Sequence, residues 1–246
     1  MITEHPREKR GRLAIIMAGG LGSRLRAFSD GLPKPLLKIS GKPILEHSLL
    51  HLRKFGFSHF IISVKYKAEL IKEYFGNGER WDVSISYLEE PDDYLGTAGP
   101  LGMLNSKPVE TFLLINGDIL TSLNFDSLWQ YHLEQDGEAT MCVREHSMPY
   151  PYGIVEVDAG KLISIDEKPV LKHLINAGIY VMEPSILSYI PAYEYMDVTE
   201  LFDGLLQKSF RAGIYRINEN WIDIGTPEDF HKARSLFFPS ISTHVN

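Results

Sequence analysis

Apolar residues fall along this chain in short runs separated by stretches of helical period. The first run, Leu13-Ala14-Ile15-Ile16, predicts a buried strand. Leu45, Leu49, Leu52 and Phe55 then recur at helical spacing behind Pro43, a favourable first-turn residue, and Gly56 ends that helix. Phe60 to Val64 predicts a second buried strand, and Ala68 to Phe75 a short helix stopped by Gly76-Asn77-Gly78. Val83, Ile85 and Tyr87 alternate with polar residues, as an edge or half-buried strand does. A loop with Pro91-Asp92-Asp93 leads to Gly96-Thr97-Ala98-Gly99-Pro100, which opens a helix. Thr111 to Ile115 is the next fully apolar strand, ending in Asn116-Gly117-Asp118.

The order βαβαβαβ up to this point calls for a parallel, doubly wound sheet with helices on both faces. Past residue 139 the rhythm changes. Ala139–Val143, Ile154–Val157, Leu162–Ile165 and Ala177–Val181 are short strands with few helices between them, a smaller and mostly antiparallel addition to the same sheet. Helices resume at Glu183–Tyr189 and Val198–Lys208, followed by a strand around Ile214–Ile217 and a last helix from Pro227. The fold class expected is α/β: a doubly wound, mostly parallel, Rossmann-like sheet with a small antiparallel extension. Residues 1–12 read as a flexible tail, 13–236 as a single domain and 237–246 as a C-terminal tail.

Composition narrows the partners. At 246 residues, with 44% hydrophobic and 23% charged content, the chain is ordinary for a globular α/β protein. A net charge of −7 argues against sequence-independent nucleic-acid binding, which needs a basic footprint. No apolar run approaches the ~20 residues that cross a bilayer, and the polar start from Met1 to Arg12 is no signal peptide. With a single cysteine, Cys142, there is no intrachain disulfide and no multi-cysteine zinc site. A cytoplasmic protein without membrane or nucleic-acid partners is expected, with a homo-oligomer allowed.

The candidate chemistry begins at Met17-Ala18-Gly19-Gly20-Leu21-Gly22-Ser23-Arg24-Leu25, a glycine-rich loop directly behind the first strand, with Lys34-Pro35 downstream. Such a loop lets backbone N–H groups close on a phosphate or a base edge, while Arg24 and Lys34 neutralise charge. Together they suggest a nucleoside triphosphate. A dinucleotide fingerprint fails because Leu25 is too bulky for its close-packing position, and no P-loop pattern occurs. Asp118 lies at the carboxyl end of a central strand, where open α/β sheets bind ligands. Asp223, in Trp221-Ile222-Asp223-Ile224-Gly225, can project into a pocket while its isoleucine neighbours enter the core. Two such carboxylates suit Mg²⁺, which keeps water and phosphate oxygens as its other ligands. Turn or capping roles serve either aspartate equally well. Lys168, in Glu167-Lys168-Pro169, is a further cation for phosphate or a plain turn lysine. His47 and His51, i and i+4 on a helix, lack the glutamate of a zinc motif and read as structural.

In this order and at these spacings the motifs resemble the sugar-1-phosphate nucleotidylyltransferases, over residues 13 to 235. The family pattern is G-G-x-G-x-R-L, K-P, a strand-ending Asp, E-K-P, N-A-G-x-Y and W-x-D-I-G, and all six are present. The resemblance implies that Asp118 and Asp223 hold Mg²⁺, that Arg24 and Lys34 bind the triphosphate and that Lys168 binds the sugar phosphate. It implies nucleotide contacts from Ala18, Gly19, Gly20, Gly22, Ser23, Gly96, Thr97 and Gly117, with Gly19 and Gly96-Thr97 near the base. Gly153, Glu167 and Asn176 would contact the sugar. The expected reaction joins a nucleoside triphosphate to a sugar 1-phosphate and releases pyrophosphate. Leu95-Gly96-Thr97-Ala98-Gly99-Pro100-Leu101 is similar to the segment in mannose-1-phosphate guanylyltransferases, which favours GTP, though uridylyl enzymes share much of it. A thymidylyl enzyme of the same family and a non-catalytic regulatory subunit that binds nucleotide sugars are also compatible with the pattern. Departures are Arg26-Ala27-Phe28-Ser29 where the family has x-P-L-T, and the extra Asp92-Asp93-Tyr94. No left-handed β-helix follows, so no acetyltransferase activity is expected.

Overall fold

The computed structural model describes residues 11–22, 24–25, 31–104, 108 and 110–238. The first strand, β1 (Arg12–Met17), is apolar on both faces, with Ala14, Ile15 and Ile16 fully buried. It leads through the glycine-rich loop and a 3-10 turn at Lys34–Leu36 to the tiny antiparallel pair β2 (Lys38–Ile39) and β3 (Lys42–Pro43). Helix α1 (Ile44–Arg53) follows at once. Leu45, Leu49 and Leu52 form its buried face, as their spacing predicts. Then come β4 (Phe57–Val64), α2 (Ala68–Phe75) and β5 (Ser84–Glu89), whose alternating exposure marks it as the edge of the sheet.

The next strand, β6 (Phe112–Asn116), is buried along almost its whole length and turns directly into β7 (Ile119–Thr121). Helix α3 (Phe125–Gln135) then crosses to β8 (Ala139–Pro149). Beyond it lie β9 (Ile154–Asp158), β10 (Lys161–Asp166) and β11 (Val170–Met182). The chain closes with α4 (Val198–Gln207), β12 (Ala212–Arg216), β13 (Trp221–Asp223) and α5 (Pro227–Phe237).

The main sheet has seven strands in the order β12-β8-β11-β6-β1-β4-β5. Strands β6, β1, β4 and β5 pair in parallel, whereas β11 runs antiparallel to both β6 and β8, and β12 runs parallel to β8. A mostly parallel sheet with an antiparallel addition is thus present. One core cluster packs α1, α2 and α3 on one face, and a second packs α4 and the 3-10 turn at Pro184–Tyr189 on the other.

Three expectations need correction. Gly96–Pro100 opens no α-helix: the chain makes only a 3-10 turn over Gly99–Met103, because this segment is pinned to the 196 region by Ala98 N–H and Gly99 N–H donating to the Met196 carbonyl. The stretch at Glu183–Tyr189 is also a 3-10 turn, and α3 is a helix not among the expectations above. Its signal is present in the sequence: Phe125, Leu128, Trp129 and His132 follow the i, i+3, i+4, i+7 spacing behind Asn124, whose side chain accepts from Ser127 N–H as an N-cap. Cys142 is buried in the first core cluster, and burial pushes its thiol up, as a packing role requires. No helix of the described residues is long and apolar enough to cross a membrane.

Candidate functional site

The carboxyl ends of β1 and β6 lie side by side, since these strands pair in register from Leu13↔Phe112 to Met17↔Asn116. Both chains turn sharply there. Gly117 N–H donates to the Met17 carbonyl at 2.9 Å, and a Cβ on Gly117 would stand 2.9 Å from that same oxygen. Only glycine lets the two turns touch. The adjacent residue, Asp118, is thereby aimed out of the sheet edge.

Asp223 reaches the same place by another route. Strand β13 pairs antiparallel with β7, setting Asp223 opposite Ile119, and Ile224 N–H donates to the Asp118 carbonyl at 3.0 Å. A two-stranded ladder of three residue pairs therefore fixes one carboxylate beside the other. Lys34 Nζ sits between them, 2.5 Å from Asp118 Oδ2 and 3.9 Å from Asp223 Oδ1. Burial raises the Asp223 carboxyl above the usual aspartate range and the neighbouring Asp118 charge raises it further, while Lys34 and Arg24 oppose both. Two carboxylates that repel each other, with a cation held between them, form a site suited to positive charge.

The glycine loop closes over this pair. Gly22 has φ +56, and a Cβ there would lie 3.1 Å from the Lys34 Cβ, so the loop and the Lys34-Pro35 turn are in contact. Arg24 lies over Gly225, where an added Cβ would meet its guanidinium at 3.3 Å. A cavity of about 190 Å³ opens between them, lined by Ala18, Gly20, Gly22, Arg24, Lys34 and Asp118 among others. Oxygen donors, two cations and loop backbone line one small polar hollow, the combination a phosphate chain with a divalent cation requires. Mg²⁺ needs only one or two protein carboxylates when substrate phosphates complete its shell. The lack of any cluster of three metal-ligating side chains among the described residues is therefore compatible with it.

At Gly19 the structure brings in Glu90, which no sequence motif singles out. A Cβ at Gly19 would fall 2.1 Å from Glu90 Oε1, so the half-buried Glu90 carboxylate lies directly on the loop backbone. Ser63 Oγ donates to the same Oε1 at 2.6 Å, and burial lifts the Glu90 carboxyl above the usual glutamate range. An acidic residue just beyond the carboxyl end of a parallel strand was the available signal, the same one that marks Asp118.

The remaining candidates lie outside this hollow. Thr97 is held internally: its N–H and hydroxyl donate to Asp197 Oδ1 at 3.0 and 3.1 Å, and the hydroxyl accepts from Val198 N–H. Gly96 is required by its φ of +75 and by the Met196 carbonyl 2.5 Å from its would-be Cβ. Asn176 and Tyr180 hydrogen-bond each other at 2.6 to 2.9 Å, and Gly178 N–H donates to Asn176 Oδ1. The Asn-Ala-Gly turn is tied to the site by Trp221 Nε1, which donates to the Ala177 carbonyl at 2.9 Å. Glu167 packs against Gly153, with Oε2 2.9 Å from that residue's would-be Cβ. Lys168 follows in an exposed turn at φ +51, and neither it nor Glu167 lines the 190 Å³ hollow. Ser23 and the Arg26–Ser29 departure lie outside the described residues. His47 and His51 bond the Ile39 and Leu123 carbonyls through Nε2 and border a separate cavity of about 780 Å³ beneath α1.

Comparison with known proteins accords with this geometry. The sequence model of the family described as nucleotidyl transferase matches residues 13–237. Mannose-1-phosphate guanylyltransferase catalytic subunit beta of Danio rerio is 33% identical over 236 residues, which cover 93% of this chain and 65% of that protein. UTP–glucose-1-phosphate uridylyltransferase of Synechocystis is 32% identical over 239 residues, covering 89% of this chain and 62% of the other. The chain therefore spans somewhat less than two thirds of the length of these relatives. Among solved structures, HddC from Yersinia pseudotuberculosis superposes with a TM-score of 0.70 at 28% identity, covering 92% of this chain and 99% of that one. The chain belongs to the nucleotidyl transferase family.

Proposed function

We propose that this chain transfers a nucleoside monophosphate from a nucleoside triphosphate, GTP by preference, to a sugar 1-phosphate, releasing pyrophosphate. The observation that carries the reaction is the meeting of Arg24, Lys34 and Asp118 at one glycine-walled hollow, with the Asp223 carboxylate beside it, 3.9 Å from Lys34 Nζ. An oxygen of the sugar 1-phosphate attacks the α-phosphorus in line. The bond from that phosphorus to the bridging oxygen breaks, and pyrophosphate departs. The attacking phosphate is already ionised, so no protein base or nucleophile is needed, and catalysis is positioning plus charge neutralisation.

Arg24 and Lys34 take up the charge that builds on the leaving pyrophosphate. Asp118 and Asp223 would hold Mg²⁺, which would supply positive charge to offset that of the phosphates. Ala18, Gly20, Gly22 and Gly117 keep backbone close to the phosphates, and Gly19 and Gly96 flank the base. Gly153, Glu167 and Asn176 serve the sugar, with Lys168 on its phosphate.

Glu90 supports guanine. An ionised carboxylate only accepts hydrogen bonds, and guanine presents two adjacent donors, N1–H and the 2-amino group. Uracil and thymine set their single N3–H between two carbonyl oxygens, which a carboxylate repels. The guanylyltransferase relative agrees with this choice, and the uridylyltransferase relative keeps UTP as the second candidate donor.

The test is pyrophosphate release with Mg²⁺ across GTP, UTP, dTTP, CTP and ATP against a panel of sugar 1-phosphates. Release with GTP and one sugar is expected, and Glu90→Gln should narrow the GTP-to-UTP ratio by ~10–100-fold, the worth of a bidentate base contact. Release with UTP alone would overturn the guanine assignment. Silence with every pair, while nucleotide sugars still bind, would overturn the catalytic one.

A further inference from the structure

Between β5 and Gly96 the chain carries the extra residues Asp92-Asp93-Tyr94, and both ends of the loop they form are pinned. At its start Glu90 N–H donates to the Val64 carbonyl at 2.9 Å. At its end Leu95 is only 2% exposed, and its carbonyl accepts from Met196 N–H at 3.0 Å. Lys65, the residue after β4, holds the middle: its Nζ donates to the carbonyls of Asp92 and Asp93 at 2.8 and 2.7 Å. A loop bonded at these points is organised before any ligand arrives, and so is the side chain it presents.

That side chain is an aromatic ring. Tyr94 is 54% exposed, although Leu95 beside it belongs to the interior. Tyr195, from the segment ahead of α4, stands next to it with ring centroids 5.9 Å apart and is itself 51% exposed. The Tyr195 hydroxyl is tied down, donating to Asp197 Oδ2 at 2.6 Å. Lys65 Nζ lies 6.0 Å from the centroid of the Tyr94 ring. Burial raises the Tyr94 phenol above the ordinary tyrosine range, and the Asp197 and Glu90 charges raise it further, so its hydroxyl stands in the field of both carboxylates. Glu90 lies on Gly19, between two residues that line the phosphate hollow, and Asp197 holds Thr97. Tyr94 therefore occupies the rim between the two segments assigned to the base. A ring fixed there leaves a flat apolar surface in water that a flat ligand can cover.

We infer that Tyr94 is a base-stacking residue: its ring packs on the face of the nucleotide base whose edge meets Glu90, with Tyr195 behind it. The inference rests on the proposed nucleotide site and deepens it. Edge and face contacts do different work. Hydrogen bonds to an edge select one base, whereas every base has a π-face, and stacking on an aromatic ring serves them all. Glu90 thus supplies the choice of base, and Tyr94 supplies affinity and fixes the plane in which the base lies. Because the loop is already pinned, little ordering entropy is lost when the base arrives.

The experiment is titration calorimetry of the full chain with GTP, with UTP and with inorganic tripolyphosphate, each with Mg²⁺ and without a sugar 1-phosphate. It compares the wild type with Tyr94→Ala and Tyr94→Phe, whose unchanged melting temperatures would show that they fold. Tyr94→Ala should weaken whichever nucleotide binds by ~10–100-fold, the usual worth of a base stacked on an aromatic ring. Tripolyphosphate, which has no base, should bind the alanine variant as it binds the wild type. Tyr94→Phe keeps the ring and should hold the nucleotide affinity within about threefold. An alanine variant that binds nucleotide like the wild type would overturn the inference and leave the proposed reaction standing. So would a phenylalanine variant as weak as alanine, which would mean a hydroxyl contact, or tripolyphosphate weakening in step with the nucleotide, which would mean a displaced loop. A wild type that binds neither nucleotide would overturn the nucleotide site itself, and the stacking with it.

Discussion

Asp118, Asp223, Lys34 and Glu90 are the residues on which the proposed chemistry depends. Replacing either aspartate by alanine should lower turnover by ~100-fold or more, since a misplaced divalent cation forfeits several kcal/mol of charge stabilisation. The check is steady-state pyrophosphate release with titrated Mg²⁺, and a variant of near-normal rate would exclude that carboxylate as a ligand. Glu90 gives a prediction in pH. Its carboxyl titrates above the usual glutamate value because burial outweighs the Ser63 hydrogen bond and the Lys65 charge. Only the ionised form can accept both guanine donors at once, so protonation should weaken GTP binding at a pH above that of an ordinary glutamate. KM for GTP should climb as the pH falls through this raised value, and Glu90→Gln should flatten the climb.

At the scale of elements, two short connections set the geometry. Gly22 combines φ +56 with a close approach to Lys34. Gly22→Ala should cost about 1–2 kcal/mol in backbone strain and displace the Lys34 side chain, raising KM for the nucleotide more than it lowers the melting temperature. The second connection joins Asp197, at the start of α4, to Thr97. The Tyr195 hydroxyl, followed by the Thr97 N–H and hydroxyl, holds the Asp197 carboxyl below the usual aspartate range. A depressed native value means stability that is present above the unfolded pKa and is lost as the pH falls through the native one. Asp197→Asn should therefore melt below the wild type at neutral pH, and the gap should close in acid. A gap that persists unchanged at low pH would show that the charge contributes nothing.

Across the whole molecule, stability rests on the central strands. Leu114 in β6 is fully buried in the cluster that includes Tyr180, Met182, Leu201 and Phe202. Leu114→Ala should cost about 3 kcal/mol and lower the melting temperature by ~6–12 °C, as for a core leucine in a domain of this size. The same core ties the site together, because β1 and β6 carry the glycine loop and Asp118 at their carboxyl ends. Loosening it should reduce stability and activity together, whereas the Asp118, Asp223 and Glu90 variants should keep near-normal melting curves.

Periodicity alone determined β1, β4, β6 and the buried face of α1, because residues such as Ile15, Leu49 and Leu114 have no stable place except the interior. The alternation of Val83, Ile85 and Tyr87 left β5 as an edge or a half-buried strand, and the sheet order puts it at the edge. The glycine loop, Lys34 and the two aspartates were legible as candidates, since glycines and charged residues flanking apolar strands have few structural uses. Helix α3 was legible in the spacing of Phe125, Leu128, Trp129 and His132 behind the Asn124 cap, whereas the helix expected after Gly96 gave way to hydrogen bonds with residues some hundred positions later. Only the tertiary structure decided which candidates meet. The β7–β13 ladder sets Asp223 beside Asp118, and the meeting of the turns after β1 and β5 lays Glu90 on Gly19. Thr97, a candidate for the base, hydrogen-bonds Asp197 through its N–H and hydroxyl. Local sequence encodes which residues must be buried. Which distant residues share a site depends on strand pairing across the whole chain, and no window of sequence contains that pairing.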